Sequence, residues 1–348
     1  MTTGIALDRT VRLLRGDFFS DKVSSEDVLS GLTTTRVRIC ADERNLMSAN
    51  GQTVVTTLTV LLSTMGVKVD LDIPSVGVIC PQPPLVGPEL KLGLLDLGND
   101  LIPEVSVTQE LGDPDVILAI GDTVVGGGRV IRVCGDAAGC LVGTNIEGIR
   151  WVGGWPVGAL AAAASTATEV LRVATERISL VSSKLPSQEY NYRLSPAISL
   201  SFANAGALER APIDLGYLDF ISAGAITNAS IYCLLRFPEL AASLRLMDED
   251  RLELPNLNRY ALMRRSHCGS HKVDVLASYA NSKLEIEGIR QHFDESWGDF
   301  LGHLSPRVLV GADRIPVRWQ VQAANPDWLS VGGTSHFFSL VSTHQPGG

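Results

Sequence analysis

Two cationic side chains, Arg259 and Lys272, follow a short acidic stretch that begins at Asp248. Arginine and lysine neutralise the negative charge of a phosphate, and carboxylates accept hydrogen bonds from sugar hydroxyls or ligate hard cations. This combination of residue types predicts a site for a phosphate-bearing ligand. The alternative is a solvated ion-pair network around Asp250 and Glu253 on the protein surface.

A loop that precedes this stretch has the position of a phosphate-binding turn. The apolar run Tyr217 to Ser222 predicts a strand, and it leads through Ser222, Gly224 and Thr227 into a helical pattern. A G-x-G-x-x-G loop at this place directs backbone N–H groups and a helix N-terminus toward phosphates. Only Gly224 of the three glycines is present, so a plain strand-to-helix turn is the alternative.

Asp248 follows the next predicted strand, Ser243 to Met247. In a doubly wound fold, an acidic residue about 20 positions beyond the phosphate loop binds the ribose hydroxyls. A carboxylate at the end of a strand is equally well explained as a cap for the following turn.

The segment from Asp248 to Tyr260, with the later Gly269 and Lys272, resembles a family signature. It is similar to the D-x-D-x-V-x-x-x-N-L-x-R-Q motif and the G-x-x-K motif of ThiF, MoeB and the ubiquitin-activating enzymes. The resemblance implies that ATP binds here, with Asp248 on the ribose and Lys272 on phosphate and ribose oxygens. It also implies that Asn256 and Arg259 contact the triphosphate. The residues predicted to bind the nucleotide are Ser222, Gly224, Thr227, Asp248, Asp250, Asn256, Arg259 and Lys272.

A buried strand near residue 308 ends in an acidic residue, Asp313. The family has an aspartate there that coordinates magnesium, usually followed by asparagine, whereas this chain has Arg314. A hard oxygen ligand at the carboxyl end of a central strand suits a cation in this fold. We therefore expect Asp313 to bind magnesium. The chain also departs from the family at the eroded glycines and at Pro255, directly before Asn256.

The chain uses one pattern twice. An apolar strand, a glycine-containing turn, a helix and a second strand occur after residue 36 and again after residue 215. Alternating short β-branched runs and helical runs predict βαβ units with a parallel sheet. The sequence thus predicts an α/β protein of two Rossmann-like, doubly wound halves, divided near Lys184. Residues 1–184 form the degenerate half, residues 185–348 form the active half, and the resemblance implies that they pack as a pseudo-dimer.

In the related enzymes, an arginine from the opposing half reaches the γ-phosphate. Arg9, Arg12 and Arg15 lie three residues apart on a predicted N-terminal helix and therefore share a face. Arg12 is assigned this role, with a basic surface stripe as the alternative. The predicted catalytic residues are Arg259, Lys272, Asp313 and Arg12.

Composition limits the possible partners and compartments. The chain has 348 residues and a formal charge of −9, which repels a phosphate backbone, so nucleic acid is not an expected partner. The six cysteines are spread out without C-x-x-C pairs, which favours buried free thiols in a reducing cytoplasm. The apolar run from Val157 to Thr168 is too short to cross a bilayer, and no signal peptide is recognised.

The resemblance implies ATP-dependent adenylation of the C-terminal carboxylate of a ubiquitin-like protein ending in glycine. This is the first step of conjugation or sulfur transfer, and a conjugating enzyme is a further expected partner. No catalytic-cysteine or zinc segment follows, so we expect a minimal or shortened adenylating core. A two-half chain of this kind is expected in a bacterial conjugation operon, with antiviral defence as an analogy. The alternatives are a nicotinamide-dependent oxidoreductase and a noncatalytic scaffold.

Overall fold

A computed structural model describes residues 2–136, 138–182, 192–202, 212–237, 239–335 and 338–345. The chain separates into two compact units, Met1–Arg210 and Ala211–Gly348. This boundary lies later than the expected division near Lys184, because strand Ile198–Ser201 pairs with Gly139–Gly143 and completes the first sheet.

The first unit contains a seven-stranded sheet within the described residues. Its strands are β1 (Arg36–Cys40), β2 (Lys68–Asp72), β3 (Val107–Thr108), β4 (Val116–Ile120), β5 (Val130–Asp136), β6 (Gly139–Gly143) and β7 (Ile198–Ser201). Its helices are α1 (Thr2–Ala6), α2 (Asp8–Leu13), α3 (Ser25–Thr34), α4 (Glu43–Leu46), α5 (Ala49–Met65), α6 (Leu90–Asn99) and α7 (Val157–Val181), with a π-helical turn at Leu14–Phe18.

The sheet order is β3-β2-β1-β4-β5-β6-β7. Strands β1 to β5 are parallel, and β6 and β7 are antiparallel to their neighbours. Strands β2 and β3 are added on one side of β1, and β4 and the later strands are added on its other side. The topological switch point of this doubly wound sheet therefore lies between β1 and β4.

Helix α5 shows how the sequence defines its own ends. Ser48 Oγ accepts a hydrogen bond of 3.0 Å from the Gly51 amide, which satisfies a donor at the helix start. The helix ends at Gly66, whose φ of +98° suits glycine because it lacks a Cβ atom. Most of α5 is buried, and it packs against α7 and the sheet.

The apolar run from Val157 to Thr168 belongs to a helix that is longer than the run itself. It forms the start of α7, a helix of 25 residues that is long and apolar enough to cross a membrane. More than half of its most apolar window, 56%, is buried within the protein. The helix packs on α3, α5 and strands β5 and β6, so within the first unit it is a core helix.

The second unit repeats the order of the first. Its six-stranded sheet has the order β10-β9-β8-β11-β12-β13, with β13 antiparallel to β12 and the other strands parallel. The strands are β8 (Ile213–Ile221), β9 (Leu240–Met247), β10 (Leu284–Ile289), β11 (Arg307–Val310), β12 (Trp328–Ser335) and β13 (Phe338–His344). The helices are α8 (Ala225–Leu234), α9 (Lys272–Ala277), α10 (Trp297–Leu301) and α11 (Ile315–Ala323), with 3-10 turns at Leu254–Arg259 and Arg265–His267.

The shared order confirms the α/β prediction of two Rossmann-like halves. Strands β8, β9, β10 and β11 of the second sheet occupy the places of β1, β2, β3 and β4 in the first. Apolar side chains on one face of the second sheet pack with those of α10 and α11 into a core. The fully buried members of this core include Ile221, Met247, Val308, Val310 and Val321.

A buried ion pair crosses the first two strands of the second unit. Asp219 is 0% exposed and accepts hydrogen bonds of 2.7 and 2.8 Å from Arg245 Nε and Nη2. Its carboxylate also accepts from the Ser305 amide at 2.6 Å. Both carboxylate oxygens are therefore hydrogen-bonded, as a buried charge requires.

Replacing this carboxylate is expected to destabilise the second unit. Asp219→Ala removes the acceptor of Arg245 Nε and of the Ser305 amide and breaks the buried ion pair, at a cost of about 3–5 kcal/mol. Urea unfolding followed by tryptophan fluorescence measures the loss. Glu239→Gln, which breaks the exposed Lys283 pair, is the control and should cost under about 1 kcal/mol. Equal midpoints for the two variants would contradict this assignment.

Candidate functional site

Three strand ends of the second unit meet at one edge of the sheet. Ile221 of β8 is paired with Met247 of β9 on one side and with Val310 of β11 on the other. Backbone hydrogen bonds extend both pairings past the strands, from the Ser222 amide to Met247 O at 2.9 Å and from the Gly311 amide to Ile221 O at 3.0 Å. The loops that follow β8, β9 and β11 therefore lie side by side.

The loop after β8 makes a strained turn at Ser222. Its φ is +86°, a left-handed conformation that glycine adopts without a steric cost. Ser222 Oγ accepts a hydrogen bond from the Gly224 amide at 3.1 Å, and Ser222 O accepts one from Thr227 Oγ1 at 2.6 Å. Helix α8 begins directly after Gly224. Ser222 therefore occupies a backbone conformation that suits glycine, directly before the helix of the predicted phosphate loop.

Two substitutions at Ser222 separate the strain from the hydrogen bond. Ser222→Ala loses the acceptor for the Gly224 amide and keeps the strained φ. Ser222→Gly loses the same acceptor but removes the steric cost, which is about 1–2 kcal/mol for a left-handed residue. We expect the glycine variant to be about 1 kcal/mol more stable than the alanine variant in urea unfolding. An alanine variant as stable as the glycine variant would show that the turn is unstrained.

Asp248 holds the loop after β8 to the loop after β9. Its Oδ2 atom accepts hydrogen bonds from the Ala223 amide at 2.7 Å and from Ser222 Oγ at 3.4 Å. Its Oδ1 atom accepts from the Asp250 amide at 2.9 Å. Asp248 is half-buried between the two turns. The carboxylate thus joins the loop that was predicted to bind phosphate to the turn that contains Asp250.

Lys272 lies beside Asp250 because two short segments pair. The Leu252 amide donates to Ser270 O at 2.8 Å, and the Lys272 amide donates to Asp250 O at 3.0 Å. This pairing brings Lys272 Nζ to 2.6 Å from Asp250 Oδ2. The lysine side chain is 8% exposed, whereas the aspartate side chain is 63% exposed. The ammonium group is therefore enclosed by the protein while its partner stays in water.

The charge of Lys272 is maintained despite its enclosure. Burial by itself lowers the pKa of this lysine, but the hydrogen bond with Asp250 and the nearby Tyr260 and Asp248 oxygens raise it above its ordinary value. Because the pKa of Lys272 is higher in the folded protein than in the unfolded chain, the charged lysine stabilises the folded state. This stabilisation is complete below the ordinary lysine pKa and is lost as the pH rises through the folded-state value. Lys272 is accordingly a cation throughout the neutral range.

Arg259 ends the 3-10 turn that follows Glu253. Its Nη1 atom donates to Pro255 O at 2.7 Å and to Asn258 Oδ1 at 3.0 Å. Asn256 caps the same turn, since its Oδ1 atom accepts from the Glu253 amide at 3.0 Å. The turn therefore fixes both residues that were predicted to contact the triphosphate.

Arg259 and Lys272 approach the same aromatic ring. Arg259 Cζ is 5.4 Å and Lys272 Nζ is 5.9 Å from the centre of the Tyr260 ring. Tyr260 is 3% exposed. Both predicted catalytic cations thus approach one ring, although 13 positions separate them in the sequence.

Asp313 follows β11 at the same edge as the other loops. Gly311 is close to the phosphate-loop helix, since a Cβ atom added there would lie 3.0 Å from Thr227 Oγ1. Arg318 Nε donates to Ala312 O at 2.8 Å and helps to hold the loop. Asp313 is exposed, and no hydrogen bond or ion pair within the described residues occupies its carboxylate.

The donor chemistry at Asp313 fits a magnesium ion. Its carboxylate is a hard oxygen ligand and is not engaged by another group in the described part of the chain. No group of three or more acidic, histidine or cysteine side chains that could hold a metal ion by itself is found within the same residues. Magnesium keeps several waters and is commonly held by one or two carboxylates together with substrate phosphates. Asp313 would therefore hold the ion jointly with a bound nucleotide.

Arg12 lies in the first unit, on α2. It forms an ion pair of 2.6 Å with Asp8, one helical turn away, and the two side chains are 70% and 49% exposed. Arg15 pairs with Asp21 at 3.0 Å. The predicted reach of Arg12 toward the second unit stays a prediction.

Two residues of the site region were not singled out from the sequence. One is Tyr260, which occupies the glutamine position of the family motif. The other is Asn228 of α8, which is fully buried and accepts a hydrogen bond from the Leu262 amide at 2.8 Å. It thereby ties the loop that contains Tyr260 to α8. A polar residue within an otherwise apolar helix was the available signal for Asn228.

Known proteins resemble the chain over part of its length. A Sinorhizobium fredii protein, the uncharacterized protein y4jF (strain NBRC 101917 / NGR234), is 31% identical over 135 residues. These residues are 38% of this chain and 26% of that protein, so the chain spans about a quarter of this relative.

Solved structures of E. coli MccB are also similar. The structure of MccB with ATP and that with MccA-N7isoASN are each 20% identical, with a TM-score of 0.33. Each covers 38% of this chain, and the chain covers 41% and 40% of the respective MccB chains.

A family model matches the second unit. It is that of the ThiF family, and it covers residues 241–330. This range includes Asp248, Arg259, Lys272 and Asp313, together with strands β10 and β11 and all but the first residue of β9. The second unit therefore contains a ThiF-family domain.

Proposed function

We propose that this protein uses ATP to adenylate the C-terminal carboxylate of a small protein. A carboxylate oxygen attacks the α-phosphorus, and the bond from that phosphorus to the bridging oxygen of pyrophosphate breaks. The products are an acyl-adenylate and pyrophosphate, so atoms and charge are conserved. The second unit is the adenylating half, and the first unit is the degenerate half.

The observation that carries the proposal is the meeting of the loops after β8, β9 and β11 at one sheet edge. A strained phosphate-type turn at Ser222, the enclosed cation of Lys272 and the exposed carboxylate of Asp313 lie in or beside these loops. Ligands of open α/β sheets bind outside the carboxyl ends of strands at the switch point, which here lies between β8 and β11. The ThiF-family match over residues 241–330 supports the same chemistry.

Each of these side chains has a task in the proposed reaction. Arg259 and Lys272 neutralise the charge that two approaching anions create at the α-phosphate. Asp248 keeps the phosphate turn in place through the Ala223 amide. Magnesium on Asp313 would supply further positive charge to the phosphates.

The proposed substrate is a ubiquitin-like protein that ends in glycine. A flexible glycine end can enter a site enclosed by loops, and the acceptor of the activated group would then be a conjugating enzyme or a sulfur carrier. Arg12 is proposed to contact the γ-phosphate from the first unit. A cytoplasmic setting, a bacterial conjugation operon and a role in antiviral defence belong to the same proposal.

ATP–pyrophosphate exchange tests the reaction directly. The full chain is incubated with ATP, magnesium, labelled pyrophosphate and a candidate ubiquitin-like protein. Exchange that depends on the partner and is lost when its last glycine is removed would support adenylation. ATP binding without exchange for any glycine-ending partner would contradict it, and the absence of ATP binding would indicate a scaffold.

A further inference from the structure

We infer that Tyr260 is a positioning residue whose ring holds Arg259 and Lys272 together as one anion-binding pair. The inference deepens the proposed function and rests on it for its place in the reaction. The family motif has glutamine at this position, so the ring is a feature of this chain.

The geometry matches cation–π contacts. A cation within about 6 Å of a ring centre is attracted by the negative face of the ring, and the attraction grows when water is excluded. Arg259 Cζ and Lys272 Nζ lie at 5.4 and 5.9 Å from the ring centre. Tyr260 is 3% exposed and the Lys272 side chain 8% exposed, so water screens the lysine contact poorly.

The Tyr260 ring attracts two cations that would otherwise repel each other. Two like charges repel when they approach, and a carboxylate placed between them would neutralise the charge that a polyphosphate needs. An aromatic ring attracts cations over its faces without forming an ion pair that would neutralise them. Asp250, which does pair with Lys272, is 63% exposed, so its carboxylate stays hydrated when a ligand takes its place.

The surroundings of Tyr260 keep the ring in place. The Tyr260 amide donates to Leu257 O at 3.5 Å, and the Met263 amide donates to Tyr260 O at 3.3 Å. The loop is tied to α8 by Asn228 and to α9 by Tyr279, whose hydroxyl donates to Leu262 O at 2.6 Å. The ring position is thus fixed from both sides before any ligand binds.

Inorganic tripolyphosphate is a suitable probe, because it needs the cation pair and neither adenosine nor a protein partner. Binding to the full chain is measured by calorimetry without magnesium. Tyr260→Phe keeps the ring and should bind within about twofold of the wild type. Tyr260→Leu removes both cation–π contacts and should bind about tenfold more weakly.

A fluorinated series at position 260 separates ring electronics from packing. Mono-, di- and trifluorophenylalanine withdraw charge from the ring face and hardly change its size, so tripolyphosphate affinity should fall stepwise. A residue that only fills the core would show a constant affinity across this series. The series also decides the matter if Tyr260→Leu fails to fold.

Tyr217→Leu is the matched control, since this tyrosine lies on β8, is 68% exposed and contacts neither cation in the described residues. It should bind tripolyphosphate as the wild type does. Constant affinity across the fluorinated series, or a wild type that binds no tripolyphosphate, overturns the inference. Absence of pyrophosphate exchange in a wild type that binds tripolyphosphate would remove the proposed reaction and leave the role of Tyr260 standing.

Discussion

Lys272→Met is expected to lower the rate of ATP–pyrophosphate exchange by about 10²–10³-fold, the usual effect of losing one preorganised electrostatic contact in an enclosed site. Methionine has nearly the length of lysine and suits a side chain that is 8% exposed. Its former partner Asp250 is 63% exposed and stays hydrated, so the protein should lose little stability. Exchange assays, combined with urea unfolding, measure the two effects separately.

Lys283→Met is the matched control for this change. Lys283 also pairs with a carboxylate, Glu239, at 2.9 Å, but both side chains are exposed, at 48% and 67%. The pair lies near the opposite edge of the sheet, where β9 and β10 begin. Its loss should leave exchange unchanged. Similar exchange rates in the two variants would show that Lys272 has no special role.

The repeated apolar patterns predicted the architecture because the apolar residues that form them are the ones that become buried in the fold. Short β-branched runs such as that of β4 are fully buried in the structure, and the corresponding run of β11 lies at the equivalent place of the second sheet. Since both halves repeat one order of elements, they share one strand order. Local patterns were therefore sufficient for the two α/β halves.

The unit boundary could not be predicted from local patterns. Strand β7 pairs with β6 after the long helix α7 has intervened. Nothing in the composition of Ile198–Ser201 indicates which sheet it completes. Pairing between distant segments depends on the whole fold and is not visible in a window of sequence.

The site residues were predictable by type and spacing, whereas their contacts were not. The motif indicated that Asp248, Arg259 and Lys272 belong together. It did not indicate that Asp248 would bind the amide of the neighbouring turn, since that contact joins two loops 25 positions apart. The shared Tyr260 ring likewise depends on the position of α9, which the motif does not encode.

Asp313→Asn is expected to reduce exchange by about 10²–10³-fold and to raise the magnesium concentration needed for half-maximal rate. The amide keeps the size of the side chain and removes the negative charge that a hard cation prefers. Because Asp313 is exposed and its carboxylate is unengaged within the described residues, stability should change by less than about 0.5 kcal/mol. Asp327→Asn, at the opposite edge before β12, should leave the magnesium dependence unchanged. A magnesium titration of Asp313→Asn that coincides with that of the wild type would remove Asp313 from the metal site.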